Sequence, residues 1–138
     1  MKLLICFILI FLLTPLVYAD SCDKSMQNMA KLLQHKNNTK MTVFEIDRYL
    51  HNTNNYTFFW YAQDRCKYWK ARKGDCTDIA VAQKFMLDSL GIKTRYASGY
   101  SDKFYQLHDW IEFQDNGKWY TIESIRFPEL KKRNNRLW

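Results

Sequence analysis

Cys76 has a sequence setting that favours a reactive thiol. It begins an amphipathic stretch whose apolar residues recur at helical spacing. Asp75 is a typical N-cap residue, Asp78 extends the capping signal, and Gly91 is placed to end the helix. A thiol at the positive end of a helix dipole has a lowered pKa and forms thiolate more readily. Cys76 is therefore a candidate nucleophile, and the alternative is a small buried residue at a helix start.

A histidine is the natural partner of such a thiol. His35 and His51 lie in a polar loop and at a helix end, whereas His108 begins a predicted strand. We therefore predict His108 as the base, with a purely structural histidine as the alternative. Together with Cys76 it would generate a thiolate that attacks an acyl carbon and forms a thioester.

A hairpin supplies a third candidate. Asn116-Gly117 suits a two-residue type I′ turn, which sets Asp115 opposite Lys118. In this register Glu123 lies diagonal to His108 on one face of the sheet. We predict that Glu123 orients the imidazole, and the alternative is a solvent-facing residue at a strand end. The same register places four apolar residues on the other face: Ile111, Phe113, Tyr120 and Ile122.

The developing oxyanion of such a reaction needs hydrogen-bond donors. The backbone N–H of Cys76 is one candidate. Trp69 and Gln63 are candidates for the second donor, and Trp110 is a candidate supporting residue.

The elements that must position these residues form two groups along the chain. Helices are predicted over 20–34, from Thr42 with Glu45 completing a capping box, over 56–70 and over 76–90. Strands are predicted over 92–98, 107–114 and 119–125. Helices followed by hairpin-linked strands predict an α+β fold, with N-terminal helices packed on a small antiparallel sheet.

Residues 1–19 have the pattern of a signal peptide. Lys2 precedes an apolar run, and small residues end at a cleavage site after Ala19. We expect a single mature domain over 20–138, with its core at about 56–126, that is secreted, periplasmic or otherwise extracytoplasmic. An uncleaved membrane anchor is the alternative, and only that alternative implies membrane contact.

The charge of the chain identifies no special partner. The net charge is +7, and removal of Lys2 with the signal peptide leaves +6. The basic residues are dispersed, and no zinc-ligand spacing, Gly-rich phosphate loop or nucleic-acid motif accompanies them. We therefore expect no nucleic-acid partner, no metal and no cofactor.

The cysteine count predicts a free thiol. Loss of Cys6 with the signal peptide leaves Cys22, Cys66 and Cys76, an odd number in an exported protein. The simplest pairing is a Cys22–Cys66 disulfide that leaves Cys76 free. A Cys66–Cys76 bridge and three reduced thiols are the alternatives.

Five segments carry a resemblance to a known family: Gly74-Asp75-Cys76, residues 90–96, Ser98-Gly99-Tyr100, His108-Asp109-Trp110 and residues 119–123. Their order and spacing, from about Phe59 to Glu123, resemble the transglutaminase-like superfamily of papain-type cysteine enzymes. The resemblance implies a papain/transglutaminase-like core and the catalytic residues Cys76, His108 and Glu123. The family usually has aspartate where this chain has Glu123.

The function expected from the residues and the resemblance is cysteine-dependent acyl transfer on a protein or peptide substrate. Hydrolysis of peptide or amide bonds is the first expectation, and transglutaminase-type amine transfer is its enzymatic variant. A catalytically inactive binding or structural module is the alternative, because the superfamily includes members without catalysis and a fold does not determine a function.

Overall fold

The computed structural model describes residues 22–57, 64–101 and 106–122. The helices are α1 (22–32), α2 (Thr39–Thr53), α3 (Arg65–Ala71) and α4 (Cys76–Ser89). The strands are β1 (Asn55–Tyr56), β2 (Lys73–Gly74), β3 (Thr94–Ser101), β4 (Gln106–Asp115) and β5 (Lys118–Thr121). Helices precede an antiparallel sheet, so the predicted α+β class is confirmed.

Helix α4 begins and ends as its sequence predicts. The Asp75 carboxylate accepts the backbone N–H groups of Thr77 and Asp78 at 3.0 and 3.2 Å, and the Asp78 carboxylate accepts the Asp75 N–H at 3.3 Å. This reciprocal capping box satisfies donors that an uncapped helix leaves free. At the other end Gly91 adopts a φ of +76°, the left-handed conformation that closes many helices. Both ends of α4 are therefore set by local residues.

The sheet has the strand order β3-β4-β5, and all its pairs are antiparallel. Asn116 and Gly117 have φ values of +49° and +76°, as a type I′ turn requires. Asp115 pairs with Lys118, so the predicted register is confirmed. One face enters the core through the fully buried Ile111 and Phe113, the nearly buried Ile122 and the partly buried Tyr120.

Helix α4 is the centre of the packing, because it contacts α2, α3, β3 and β4. Its apolar residues lie between the sheet and α2, and this arrangement removes most of their surface from water. Helices α2 and α4 and strand β4 supply much of the core. Their buried residues include Val43, Ile46 and Leu50 of α2, Ile79, Ala82, Met86 and Leu87 of α4, and Ile111 and Phe113 of β4.

The helix predicted over 56–70 is wrong in its first part. Asp64 caps a short α3, whose first residue is Arg65, and Tyr56 lies in strand β1. The backbone of β1 pairs in parallel with β2: the Asn55 N–H donates to the Arg72 carbonyl and the Thr57 N–H donates to the Gly74 carbonyl, both at 2.9 Å. This pairing of strands outweighs the local preference of the sequence for a helix, and it brings Tyr56 beside the segment that precedes Cys76.

Two further boundaries differ from the sequence prediction. Asn38 rather than Thr42 caps α2, because its side chain accepts the Met41 N–H at 2.9 Å. Thr42 lies within the helix, where its hydroxyl group accepts the His35 N–H at 2.8 Å. Strand β3 continues through Gly99 to Ser101, since the ladder with β4 supplies backbone partners on both sides of the glycine.

A disulfide joins Cys22 of α1 to Cys66 of α3, with 5.8 Å between the Cα atoms. Cys76 is a free thiol. The predicted signal peptide lies outside the described residues, and among those that are described no helix has the length and hydropathy of a membrane span.

Candidate active site

Cys76 is the first residue of α4, and its half-buried thiol meets three hydrogen-bonding groups. They are the His108 side chain, the backbone N–H of Asp109 and the Tyr56 phenol. The hydrogen bond from His108 has the largest effect and lowers the pKa of the thiol. Burial has the opposite effect and raises that pKa. The structure therefore brings the predicted nucleophile and the predicted base together.

His108 lies on β4, directly opposite Gly99 of β3. Its ring stacks on Trp110, with 5.8 Å between the ring centroids and 25° between the planes. Residues two apart on a strand share a face, which explains why these two side chains meet. The predicted supporting residue Trp110 is thus beside the predicted base.

Asp109 ties the sheet to the start of α4. Its side chain points to the face opposite that of His108, and its carboxylate accepts the Thr77 hydroxyl at 2.6 Å. Thr77 follows the nucleophile in sequence, so this bond holds the first turn of α4 against β4. No local sequence pattern predicts this contact, because Thr77 and Asp109 lie 32 residues apart.

Tyr56 was also missed, because its position depends on the pairing of β1 with β2. Its backbone lies opposite Gly74, two residues before the nucleophile, and its phenol hydrogen-bonds the Cys76 sulfur. Burial and, next, the neighbouring negative charge of Cys76 raise the pKa of Tyr56 to about 12. The phenol therefore remains a proton donor throughout the neutral pH range.

A cavity of about 60 Å³ opens beside the thiol. Its walls include Cys76, His108, Tyr56 and Trp110. This volume has room for a few water molecules or a small part of a larger substrate. The predicted nucleophile and the predicted base thus border the same open cavity.

The same cavity has a second polar wall, formed by Asp47, His51 and Gln83. Asp47 is only 3% exposed, and its Oδ1 accepts the Gln83 amide at 2.7 Å and lies 3.3 Å from His51 Nε2. His51 ends α2 and its side chain is 36% exposed. In the sequence His51 is a residue at a helix end, and only the packing of α2 on α4 brings it to the cleft.

The prediction of Trp69 as an oxyanion donor needs correction. Trp69 is 6% exposed in the core, and its indole N–H donates to the Ser25 hydroxyl at 3.3 Å, so this donor is already engaged. Gln63 and Glu123 lie outside the described residues, and their roles remain predictions. In the described chain the one group of close metal-ligand atoms includes Cys22 and Cys66, whose sulfurs form the disulfide.

Solved structures share this fold. A candidate cysteine protease from Cytophaga hutchinsonii aligns over 72% of the chain with a TM-score of 0.63 and 23% identity. A protein described as a TGase aligns over 81% with a TM-score of 0.62 and 14% identity. The periplasmic domain of TgpA from Pseudomonas aeruginosa aligns over 77% with a TM-score of 0.58 and 21% identity.

These alignments cover 37%, 32% and 44% of the three solved chains, so this chain spans less than half of each. No curated protein matches it by sequence. The sequence profile of the transglutaminase-like superfamily matches residues 27–124, more than half of the chain, and begins well before Phe59. The matched segment holds Cys76 and His108, and the solved structures share the fold. The chain therefore belongs to the transglutaminase-like superfamily.

Proposed function

We propose that this protein is an extracytoplasmic cysteine-dependent acyl-transfer enzyme that hydrolyses peptide or amide bonds. The observation that carries the proposal is the Cys76 thiol at the start of α4, hydrogen-bonded to His108 and lowered in pKa. A thiolate paired with an imidazolium at a helix N-terminus is the activated form of a cysteine nucleophile.

Acylation follows from this pair. The Cys76 thiolate attacks the carbonyl carbon of the scissile amide, and the negative charge moves to the carbonyl oxygen. The C–N bond then breaks, His108 gives its proton to the leaving nitrogen, and a thioester remains on Cys76. Water then attacks the thioester carbon and passes one proton to His108, the C–S bond breaks, the acid is released, and the thiolate–imidazolium pair is restored.

The oxyanion is stabilised by Tyr56 and by the backbone N–H of Cys76. The phenol donates to the sulfur in the resting protein and keeps its proton at neutral pH. When the sulfur becomes part of a thioester it loses its negative charge, and the phenol is then free to donate to the oxygen formed next to it. This role replaces the one predicted for Trp69.

Glu123 completes the proposal as the carboxylate that orients the His108 imidazole. The pairing of Glu112 with Thr121 supports this role, because a strand that kept this register as far as position 123 would bring Glu123 opposite Trp110 and diagonal to His108. A carboxylate there stabilises the imidazolium without taking its proton.

The extracytoplasmic location is supported by the Cys22–Cys66 disulfide, since such bonds persist mainly in oxidising compartments. The signal-peptide pattern of residues 1–19 and a periplasmic structural relative agree with it. The proposed substrate is a protein or peptide, as the cysteine protease and TGase relatives suggest.

The first test is the pH dependence of Cys76 alkylation by iodoacetamide, followed by peptide mass. Because the folded-state pKa is lowered, the thiolate persists as the pH falls below the usual thiol range of about 8.5. We expect labelling at pH 7 that is several-fold faster than that of a simple thiol. His108→Gln should raise the midpoint and slow labelling at pH 7 several-fold, because it removes the largest of the influences that lower the pKa of the thiol. His35→Gln removes a histidine outside the cavity and should change nothing.

A buried, slowly labelled Cys76 would contradict the enzyme proposal and favour the inactive module. Turnover separates hydrolysis from amine transfer: a glutamine-rich protein is incubated with a fluorescent amine, with Cys76→Ser as control. Cys76-dependent release of peptide or ammonia without incorporation indicates hydrolysis, whereas incorporation of the amine indicates the transferase.

A further inference from the structure

Strand β3 forms one edge of the antiparallel sheet. It pairs with β4 on one side, and among the described residues no strand lies on its other side. The pairing with β4 continues over all eight residues of β3, and the strand contains neither a bulge nor a proline. A long, regular edge strand presents backbone donors and acceptors to which another strand can bind. The outer edge of β3 is therefore an interaction surface.

One hydrogen bond identifies the backbone groups that face outward from this edge. The Gln114 N–H donates to the Lys93 carbonyl at 2.9 Å, so these two residues form a hydrogen-bonded pair. Hydrogen-bonded and non-hydrogen-bonded pairs alternate along an antiparallel ladder. Every second residue of β3 therefore directs its N–H and C=O groups away from β4, and these residues are Thr94, Tyr96, Ser98 and Tyr100.

The residues at the outward-facing positions are uncharged. Tyr96 and Tyr100 are 54% and 62% exposed, and Ser98 between them is also exposed. Edge strands usually carry a lysine, a proline or a bulge that prevents pairing with another chain. These positions of β3 have none of the three, and they offer two exposed aromatic rings instead.

The charges beside the edge allow two copies of a basic protein to approach each other there. Lys84 of α4, whose Nζ lies 5.6 Å from the centre of the Tyr96 ring, forms an ion pair with Asp88 at 2.7 Å. Arg95 of β3 forms an ion pair with Glu112 at 2.5 Å. Because both cations have a carboxylate partner, repulsion between two such edges is reduced, although the net charge of the chain is +7.

We propose that the partner of β3 is a second copy of this chain. Two β3 strands pair antiparallel about a two-fold axis at Ser98, so that two three-stranded sheets become one continuous sheet. In this register Ser98 lies opposite Ser98 of the second copy, and Tyr96 lies opposite Tyr100 of the second copy. Each of these pairs exchanges two backbone hydrogen bonds, and the aromatic cross-strand pairs add to the stability of the dimer.

The position of the thiol argues against a substrate peptide as the occupant of this edge. Asp109 lies opposite Ser98 in a non-hydrogen-bonded pair, so the Asp109 N–H points away from β3. That N–H is one of the groups bonded to the Cys76 sulfur. A peptide added to β3 would therefore lie on the far side of β4 from the nucleophile. Dimerisation through β3 leaves the cleft open, and this inference does not depend on the proposed function.

Sedimentation velocity over a range of concentrations tests the proposal first. We expect a monomer–dimer equilibrium in which the dimer fraction of the wild-type chain rises with concentration. Ser98→Lys places two like charges face to face at the two-fold axis. It should weaken dimerisation by at least about tenfold, because like charges opposed across an interface are strongly unfavourable.

Two control variants should dimerise as the wild type does. Ser98→Thr keeps an uncharged residue with a high strand propensity at the axis. Asn37→Lys adds the same charge as Ser98→Lys in the exposed turn between α1 and α2.

A charge swap tests the two-fold register itself. Ser98→Asp alone should be as weakly dimeric as Ser98→Lys. An equimolar mixture of the two variants should form a heterodimer, because opposite charges then meet at the axis. Near-ultraviolet circular dichroism checks that each variant keeps its tertiary packing.

Hydrogen exchange followed by NMR tests the backbone pairing in the wild-type chain, so this measurement does not depend on the folding of a variant. The amides of Tyr96, Ser98 and Tyr100 should exchange slowly at concentrations that favour the dimer and rapidly after dilution.

Four results would overturn the proposal. A wild-type chain that stays monomeric up to millimolar concentration would leave the edge to another partner, such as an extended peptide. A dimer that persists in Ser98→Lys would use a different surface. A mixture of the two charged variants that stays monomeric would exclude the two-fold axis at Ser98. Slow exchange of the three amides in the monomer would show that they are already paired within one chain.

Discussion

At the scale of single residues, the lowered pKa of Cys76 comes from groups that are far apart in sequence. His108 and Asp109 reach the sulfur from β4, and Tyr56 reaches it from β1. All three favour the thiolate, and together they exceed the opposing effect of burial. In the proposed reaction Tyr56 also donates to the carbonyl oxygen of the substrate, so it is the side chain that most directly tests transition-state stabilisation.

We therefore expect Tyr56→Phe to lower kcat/KM for amide hydrolysis by about 100-fold, as loss of one oxyanion donor does in other enzymes. Its effect on Cys76 alkylation should be much smaller, because His108 remains the larger influence on the thiol pKa. Tyr96→Phe, at an exposed tyrosine of β3, is the control. Equal losses of turnover and alkylation would show that Tyr56 acts only on the thiol.

At the scale of elements, Gly74 allows β1, α3 and α4 to meet. A Cβ at this position would lie 2.7 Å from the Tyr68 ring and 2.7 Å from the Asp78 side chain. Tyr68 belongs to the core and Asp78 to the capping box of α4, so neither side chain can move aside freely. The close approach fixes the path by which the chain enters Cys76.

Gly74→Ala should consequently destabilise the protein by about 1–3 kcal/mol, the usual cost of overpacking, and should slow Cys76 alkylation at pH 7. Gly117→Ala is the matched control. A Cβ at Gly117 meets nothing within 4 Å, so this change adds only the strain of its φ of +76°, about 1–2 kcal/mol. Urea denaturation and alkylation are the two measurements. Normal alkylation in Gly74→Ala would show that the packing around Gly74 does not position the thiol.

At the scale of the whole molecule, the disulfide secures the N-terminal helix to the part of the chain that precedes the site. Cys22 and Cys66 join α1 to α3, and Arg65 reinforces the connection through a 2.6 Å ion pair with Asp23. Helix α3 leads through Arg72, whose φ is +52°, into β2 and then Cys76. The disulfide and the ion pair therefore stabilise the fold, and they also hold the segment that leads into the site.

Removal of the disulfide by the double substitution Cys22→Ala and Cys66→Ala should lower the free energy of unfolding by about 4 kcal/mol. This is the chain-entropy estimate for a loop closed by residues 44 apart in sequence. Chemical denaturation measures it, with Lys31→Gly at an exposed position of α1 as a control for local helix destabilisation of below about 1 kcal/mol. A loss no larger than the control's would mean that the bridge adds little to the native state.

The sequence by itself determined those features that depend on neighbouring residues. The caps of α4, the Asn116-Gly117 turn and the register of β4 with β5 are local, so a few residue types specify each of them. These features put Cys76 at the start of α4 and His108 on β4, where the structure has them, and the odd cysteine count pointed to the disulfide that the structure contains.

Only the tertiary structure decided which distant groups share the cleft with them. Tyr56 depends on the pairing of β1 with β2, and His51 and Asp47 depend on the packing of α2 against α4. The packing of α1 against α3 likewise directs the Trp69 indole N–H to Ser25. Contacts of this kind have no periodicity along the chain, because they arise when whole elements are buried against one another. The thiol could therefore be recognised from the sequence, whereas much of its surroundings could not.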